Sequence, residues 1–515
     1  MKIEFRDEPA FRLLGYSPDT PRDILRNVTA GVKPSALNGD FILVAEGIDE
    51  QSGKPLTLFT STVVAAIPYY YYLTEEHCVH AGNVTDCCKN ASLSWEWNWD
   101  ALAQQTLFDH LLGDASLHKF ISKVPKASII KVCGADVETY QEPFWGELYE
   151  SADSNVNASD VASVLIEILS ELPANEPYSL SLSAGYDSRV LLACMSYLER
   201  SLSTATIGEV DSTDVWIARQ IALSCDYEFE RVPFDVNDYI TYAEDIMRNT
   251  SGEHTFWHWH TGVFSRKVSF DPSSMHLVGS NGEFARSYYF DKGLFAEIAD
   301  LSRFSRWDYW LALKNSTKRR IAPEILDAID PGSEYLNSLS SRSMAEGAFV
   351  AGMRFGDGLD YFYTAERVRN FIGLGLAMYR TAFPTMSPFL DSRFVKLSSA
   401  LRRQQKLGDR LPRSIIEILQ PSLLDFPVDE SGVPMRSEPG LFYFLNHKKI
   451  KGYARYADAQ KLPQVIEWSR SGFGELGGDL KRYDTDNLLR AKVNRWILPI
   501  TLGAFKETVL KPFDI

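Results

Sequence analysis

Residues 181–192 read SLSAGYDSRVLL: an alternating strand, a short loop, then the first turns of an apolar helix. Gly185 lets the backbone approach a ligand closely, the loop amides and the following helix N-terminus form a positive concavity, and Ser183 and Ser188 add hydroxyl donors. That is the chemistry of anion binding. Asp187 fits it only with a partner, because a carboxylate beside bound phosphates repels them unless a divalent cation sits between. The most economical reading is a phosphate cradle with Mg2+ bridging Asp187 to a polyphosphate; the alternative is a turn in which Asp187 caps the helix. The phosphate-loop patterns GxxxxGK[ST] and GxGxxG are both absent.

Such a loop needs a strand to deliver it and a helix to leave by. From about residue 158 the chain alternates: DVASVLIEILSEL, YSLSLS, DSRVLLACMSYLERSL, TATIG, DVWIARQIALSC, YEFERVPF. This rhythm predicts a parallel sheet covered by helices, with ligands at the carboxyl ends of its strands. After about residue 300 the text reads as mostly helical.

Residues 36–90 differ, with short runs (FILVAEG, PLTLFTSTVVAA, PYYYYLT, HCVHAG) rich in Val, Ile, Phe and Tyr between turn residues. They predict an antiparallel sheet or sandwich. In SLSWEWNWD, Trp95, Trp97 and Trp99 recur at period two, which puts three indoles on one face of an extended chain, as core packing or as a ligand platform. Asp100 is expected to cap the helix ALAQQTLFDHLLG, with Gly113 marking its end. Two further strands, ASIIKVCG and VETYQEPFW, close this unit. A polar small-residue run around residues 150–158 then reads as a linker, giving domains 1–150 and 158–515.

A chain of 515 residues is long enough for two such domains. Its net charge of -15 argues against sequence-independent nucleic-acid binding, because no excess of Lys and Arg exists to displace counterions. The densest basic run, RRQQKLGDRLPR (residues 402–413), reads as a solvated helix end or a site for an acidic ligand. The start, MKIEFRDEPAFRLL, has no apolar signal core, and the longest greasy stretch, VVAAIPYYYYL, falls short of a bilayer and contains Pro68. A soluble, cytoplasmic protein without a membrane partner is expected. Six cysteines without CxxC or Cys–His zinc spacing are expected to be reduced thiols, mostly buried.

The loop resembles the SGGxDS pyrophosphate loop of the N-type ATP pyrophosphatases, with Ala184 in place of the first glycine. Its surroundings resemble the asparagine synthetase superfamily. There the loop is followed by a strand TFSIGF whose backbone recognises adenine; here Thr206, Ile207 and Gly208 of TATIG stand in those places. The family's G[DE]G[SA]DE segment before GGY is similar to HLVGSNGEFARSYY, where Gly279 matches the first glycine and Glu283 the second metal-binding carboxylate. RVPFLD is similar to MSPFLDSRF from Pro388 to Asp391. LNGDFILVA, PYYYY and FISKVPKASIIKV resemble strands of the family's glutaminase-type domain, so the likeness runs from about residue 36 to about 435.

There are departures. Glutamine-dependent members carry a nucleophilic cysteine after the initiator methionine; this chain has Lys2, and its first thiol is Cys78. The resemblance is therefore to members without glutaminase chemistry, such as β-lactam synthetase and the lasso-peptide cyclases. The family's ligase lysine is also missing where it is expected, since Val428 follows Pro427; Arg367, Arg369 and Lys406 are candidate replacements. SGEHTFWHWH (residues 251–260) falls where the family lines its acceptor pocket. His254, His258 and His260 read as a metal site, the first two on one helix face, or as an aromatic wall or core packing. Position alone makes Glu253 a candidate general base for an incoming amine.

The resemblance implies an α/β protein: a degenerate Ntn-hydrolase-like sandwich domain, then a parallel-sheet PP-loop synthetase domain with a helical C-terminal part. It implies an ATP-dependent, AMP-forming amide ligase acting without glutamine hydrolysis. Ser183, Ala184, Gly185, Tyr186, Asp187 and Ser188 would hold ATP and pyrophosphate, joined by Thr206, Ile207, Gly208 and Gly279. Mg2+ would sit on Asp187 and Glu283, and Asp187, Glu283 and Glu253 would be catalytic. The substrates would be an amine and a small-molecule or peptide carboxylate: a natural-product or sugar acid, or both groups in one molecule. A homodimer or a biosynthetic partner protein is compatible with this. The alternatives are asparagine synthase itself and a non-catalytic nucleotide-binding scaffold; tRNA thiolation is disfavoured by the acidic charge and the unpaired cysteines.

Overall fold

Eight strands lie among the described residues of the N-terminal unit: β1 (Ala10–Tyr16), β2 (Asp40–Ile48), β3 (Pro55–Ser61), β4 (Tyr70–Leu73), β5 (Cys78–Ala81), β6 (Ser122–Lys123), β7 (Ser128–Cys133) and β8 (Asp136–Gln141). The computed structural model describes residues 1–108, 110–143, 155–235, 237–255, 258–287, 352–428 and 433–437, with 505, 509 and 510. Pairing is antiparallel throughout, in a five-stranded sheet β1-β2-β3-β7-β8 and a three-stranded sheet β5-β4-β6. Alternation along β2 shows how the layers form. Ile42 and Val44 face the second sheet and pack with Tyr69, Cys78 and Val124. Phe41, Leu43 and Ala45 face the opposite way, onto Ile24 and Val28 of the helix Pro21–Thr29.

The second unit is built on five parallel strands, β9 (Tyr178–Ser181), β10 (Leu202–Ile207), β11 (Glu228–Val232), β12 (Met275–Val278) and β13 (Thr385–Met386), in the order β11-β10-β9-β12-β13. The chain winds outward from β9 through β10 to β11, then returns to lay β12 on the other side of β9. The reversal opens a crevice between the carboxyl ends of β9 and β12, where ligands of open α/β sheets bind. The helices Ala158–Ser170, Tyr186–Tyr197 and Thr213–Ser224 fall where the alternation predicts them. Asn157 and Asp160 form a capping box on the first. The parallel α/β architecture and the antiparallel first unit are as expected.

Several local expectations change. Trp95 and Trp97 pack edge to face at 5.4 Å, whereas Trp99 opens the helix Trp99–Phe108 and is 50% exposed, so the three indoles do not share a face. Asn98 rather than Asp100 caps that helix, accepting the Ala101 N–H at 3.2 Å. The basic run divides: Arg403 and Lys406 are buried with Asp357 and Asp360, while Arg402 and Arg410 are exposed. The helices Phe355–Phe362, Gly373–Arg380, Ser392–Ala400 and Arg410–Leu419 match the helical reading of the later chain; its parts at 288–351 and most of the chain beyond 437 lie outside the described residues, as does most of the linker run. No disulfide occurs among the six cysteines, of which Cys78, Cys87, Cys88 and Cys194 are buried. Among the described residues no helix is long and apolar enough to cross a membrane.

Arginines stitch the two units together. Arg369 donates to the carbonyls of Gly113 and Val124 at 2.7 Å each, and Arg380 donates to Ala66 O at 2.9 Å. Lys123 of β6 reaches across to Glu253 at 2.6 Å, both side chains buried.

Candidate active site

The loop after β9 is tied by its own hydroxyls. Ser188 Oγ accepts the Ser183 N–H at 3.0 Å and lies 2.9 Å from Ser183 Oγ, which accepts the Gly185 N–H at 3.2 Å. Gly185 caps the helix with an extended backbone. A Cβ placed on it would meet only Ser183 Oγ, at 3.2 Å, so the space above the helix start stands open. Ala184 points the other way: it is buried, its N–H donates to Asp214 Oδ1 at 2.6 Å and its carbonyl accepts from Arg189 at 2.9 Å. Ala184 therefore shapes the loop from behind rather than facing a ligand, and nothing there demands a glycine. The buried guanidinium of Arg189 also binds the carbonyls of Leu423, Phe426 and Pro427, at 3.1, 3.0 and 2.7 Å.

The turn after β12 presses against this helix start. A Cβ on Gly279 would come within 2.5 Å of the Ser188 nitrogen, and one on Gly282 would collide with the Asp187 carboxylate. Both glycines are thus required by close approach. The short 3-10 helix Gly282–Arg286 turns once every three residues, which puts Glu283 and Arg286 on one side. Glu283 Oε2 accepts the Asn281 N–H at 2.9 Å, while Arg286 binds Asp187 at 2.9 Å and Asp409 at 2.7 Å. The aromatic ring of Tyr186 lies 5.6 Å from the Arg286 guanidinium and 5.9 Å from that of Arg413.

Burial pushes the Asp187 carboxyl up to about 7; Arg286 pulls it down, and Glu283 and Asp409 push it further up. Burial opposes the charge of Arg286, but Asp187, Asp409 and Glu283 outweigh it and hold the guanidinium firmly protonated. Three carboxylates thus share one cation, an excess of negative charge suited to a divalent ion. Asp187 and Glu283 offer hard oxygen donors, and Mg2+ ordinarily takes one or two carboxylates with substrate phosphates and water. The residues present fit that ion as part of a metal–phosphate complex; among the described residues no group of three His, Cys, Asp or Glu is placed to hold a metal by itself.

These groups line a cleft of about 360 Å³ at the switch point. Of the sequence candidates, Ser183, Gly185, Tyr186, Asp187, Ser188, Thr206, Ile207, Gly279 and Glu283 line it together. Gly208 does not: its N–H donates to Val232 O and its carbonyl accepts from Arg231, both at 3.0 Å. Glu253 lies elsewhere, wholly buried against Lys123, and burial raises its pKa while lowering that of the lysine. A carboxylate sequestered in this way is not presented to an amine in the cleft, so position alone misled.

The candidate replacement cations are also placed elsewhere. Arg369 is committed to the Gly113 loop, Lys406 lies 3.7 Å from buried Asp360, and Arg367 stacks over Phe371 at 4.4 Å. Val428 does line the cleft. His254 lies in a bend and His258 in a 3-10 turn, and the α-helix begins only at His260, which lines the cleft. His254 is buried and pushed down to about 4 by burial, and the His258 ring meets Phe371 edge to face at 4.5 Å, which is the packing alternative.

Three charged cleft residues escaped the sequence reading: Arg286, Asp409 and Asp214. Arg286 carried a signal, an arginine three residues after Glu283; Asp409 and Asp214 carried none, because the partners that give them meaning are remote in sequence. No family model matches the chain, and no curated protein is significantly similar to it.

Proposed function

We propose that the protein is an ATP-dependent, AMP-forming ligase, in which a substrate carboxylate is adenylated and then transferred to an amine. The observation that carries the reading is that Asp187, from the helix after β9, and Glu283, from the turn after β12, line one cleft at the switch point together with the open face of Gly185. The ordered likeness of four motifs to the asparagine synthetase superfamily, and a first unit of two antiparallel sheets like that family's glutaminase-type domain, support it.

In this reading the triphosphate lies over Gly185, held by loop amides and the hydroxyls of Ser183 and Ser188, with adenine toward Thr206 and Ile207. Mg2+, held by Asp187 and Glu283, would neutralise phosphate charge. A carboxylate oxygen attacks the α-phosphorus, the bond from that phosphorus to the bridging oxygen breaks, and pyrophosphate departs. The amine then attacks the acyl carbon, gives up a proton to solvent water, and the bond from the acyl carbon to the phosphate oxygen breaks to release AMP. Arg286 supplies the cation that the missing lysine would have supplied, exchanging a carboxylate for phosphate oxygens. Positioning and charge neutralisation account for the rate.

Carboxylate-dependent exchange of labelled pyrophosphate into ATP, surveyed over a panel of acids, tests the proposal. Exchange with at least one acid is expected. The Asp187–Arg286 ion pair, which occupies the metal carboxylate, favours one rival, a non-catalytic nucleotide-binding scaffold. Mg-ATP binding without exchange for any acid would establish that rival, and no Mg-ATP binding would remove both readings.

A further inference from the structure

The floor of the cleft is polar in a way that phosphate chemistry does not use. Ser179 and Ser181 of β9 share a face with His276 of β12, Ser179 standing opposite His276 in the parallel register. The imidazole bridges the two hydroxyls, Nδ1 lying 2.9 Å from Ser179 Oγ and Nε2 2.8 Å from Ser181 Oγ. Around it stand Phe264, Phe270, Tyr379 and Phe383, with ring centroids 6.2, 5.6, 4.9 and 5.4 Å away. Burial pushes His276 down to about 3, so the ring is neutral at physiological pH. A neutral imidazole has one donor and one acceptor, so it receives a hydrogen bond from one serine and gives one to the other. The hydroxyl of Ser181 is thereby held in place, with hydrogen-bonding capacity left over for the cleft.

Of these three groups only Ser181 lines the cleft. It precedes Ser183 by two residues, about 7 Å along a strand. His260, Thr261, Phe264 and Tyr379 also line the cleft. Its charged lining residues are each bound to the phosphate loop or to the β12 turn: Asp214 to Ala184, Glu283 to Asn281, and Asp187 and Asp409 to Arg286. Beside Ser181 and His276 the described neighbours are hydroxyls and rings, so a charged group seated there would have no opposite charge in direct contact, which is costly. A ring and a hydroxyl would instead meet rings and Ser181.

Resting on the ligase reading for what the cleft does, we infer that the Ser181–His276 floor is the specificity subsite for the acid, and that it selects a carboxylate whose remaining part is uncharged and ring-bearing, with one hydrogen-bonding group for Ser181. His276 acts through Ser181 as a positioning residue. The subsite disfavours aspartate, whose ammonium and second carboxylate would both need partners.

The test uses three probes on the full chain: 4-hydroxyphenylacetate, phenylacetate and aspartate. Binding is measured by saturation-transfer NMR and calorimetry with a non-hydrolysable Mg-ATP analogue, and adenylation separately by pyrophosphate exchange. We expect 4-hydroxyphenylacetate to bind about 10-fold tighter than phenylacetate, as one lost hydrogen bond predicts, and aspartate to bind more weakly than either. Ser181→Ala should erase the difference between the two aromatic acids, with affinity for the nucleotide analogue as the control. Aspartate binding as tightly as the hydroxylated acid, no binding of any probe, or a Ser181→Ala defect confined to the nucleotide would each overturn the inference. Should the variant fail to fold, the wild-type ranking of the probes still decides. Selective binding without exchange would overturn the ligase reading alone and leave the subsite standing.

Discussion

Arg286 holds Asp187 at 2.9 Å with one terminal nitrogen and Asp409 at 2.7 Å with the other. The carboxylate proposed to hold the metal is thus paired with a protein cation that Asp409 also claims. On the ligase reading, Mg-triphosphate would displace that partner or recruit it. Arg286→Ala should therefore tighten the binding of Mg2+ alone, measured by calorimetry without nucleotide, while pyrophosphate exchange falls by about 100-fold or more. Asp187→Asn should weaken both. Unchanged exchange in either variant would remove these residues from the chemistry.

Two loop glycines separate binding from stability. Gly185 has φ −74° and open space above it, so Gly185→Ala should leave the thermal midpoint nearly unchanged yet weaken Mg-ATP binding at least 10-fold by filling the place of a phosphate. Gly279→Ala forces a methyl onto the Ser188 backbone and should cost about 1–3 kcal/mol of stability, read by denaturant titration. Equal effects of the two changes on both measurements would contradict this placement of the ligand.

Glu253 and Lys123 form a buried ion pair between the two units. Removing one partner strands the other charge, and Glu253→Gln should cost about 3–5 kcal/mol. The double variant Lys123→Met, Glu253→Leu should recover most of that loss and keep exchange activity. A folded double variant that still exchanges pyrophosphate but makes no amide would restore Glu253 as the base.

Acid should destabilise the fold through its buried histidines. Burial lowers the pKa of His276 to about 3 and that of His254 to about 4, both below the ordinary value near 6.5. The unfolded chain then binds more protons than the folded one beneath that ordinary value. Their contribution is complete above about pH 6.5 and is lost as pH falls toward the folded pKa, with a slope approaching about 1.4 kcal/mol per pH unit for each ring. His254→Phe should reduce the slope between pH 6.5 and 4, measured by urea midpoints across pH.

The fold was legible where periodicity decides it. The helix–strand rhythm after residue 158 placed β9, β10 and β11 and their helices, and the carboxyl-end rule then located the cleft. Glu283 was legible by counting from Gly279 along the segment that resembles the family's, and it lines the cleft with Asp187. Asp409 was not, because its meaning lies in an ion pair across 123 positions of chain with Arg286. Glu253 was misread for the converse reason: its neighbours in sequence suggested an acceptor wall, while Lys123, remote in sequence, claimed its charge. Asn98 displaced Asp100 as a cap because the helix starts two residues earlier than the apolar pattern suggests.

Arg189 gathers carbonyls from both sides of the cleft, that of Ala184 in the cradle and those of Leu423, Phe426 and Pro427 beside the lining residue Val428. One guanidinium rivets the cradle to the segment that carries Val428. Val428 cannot part from Gly185 unless that guanidinium gives up carbonyls on one side or the other.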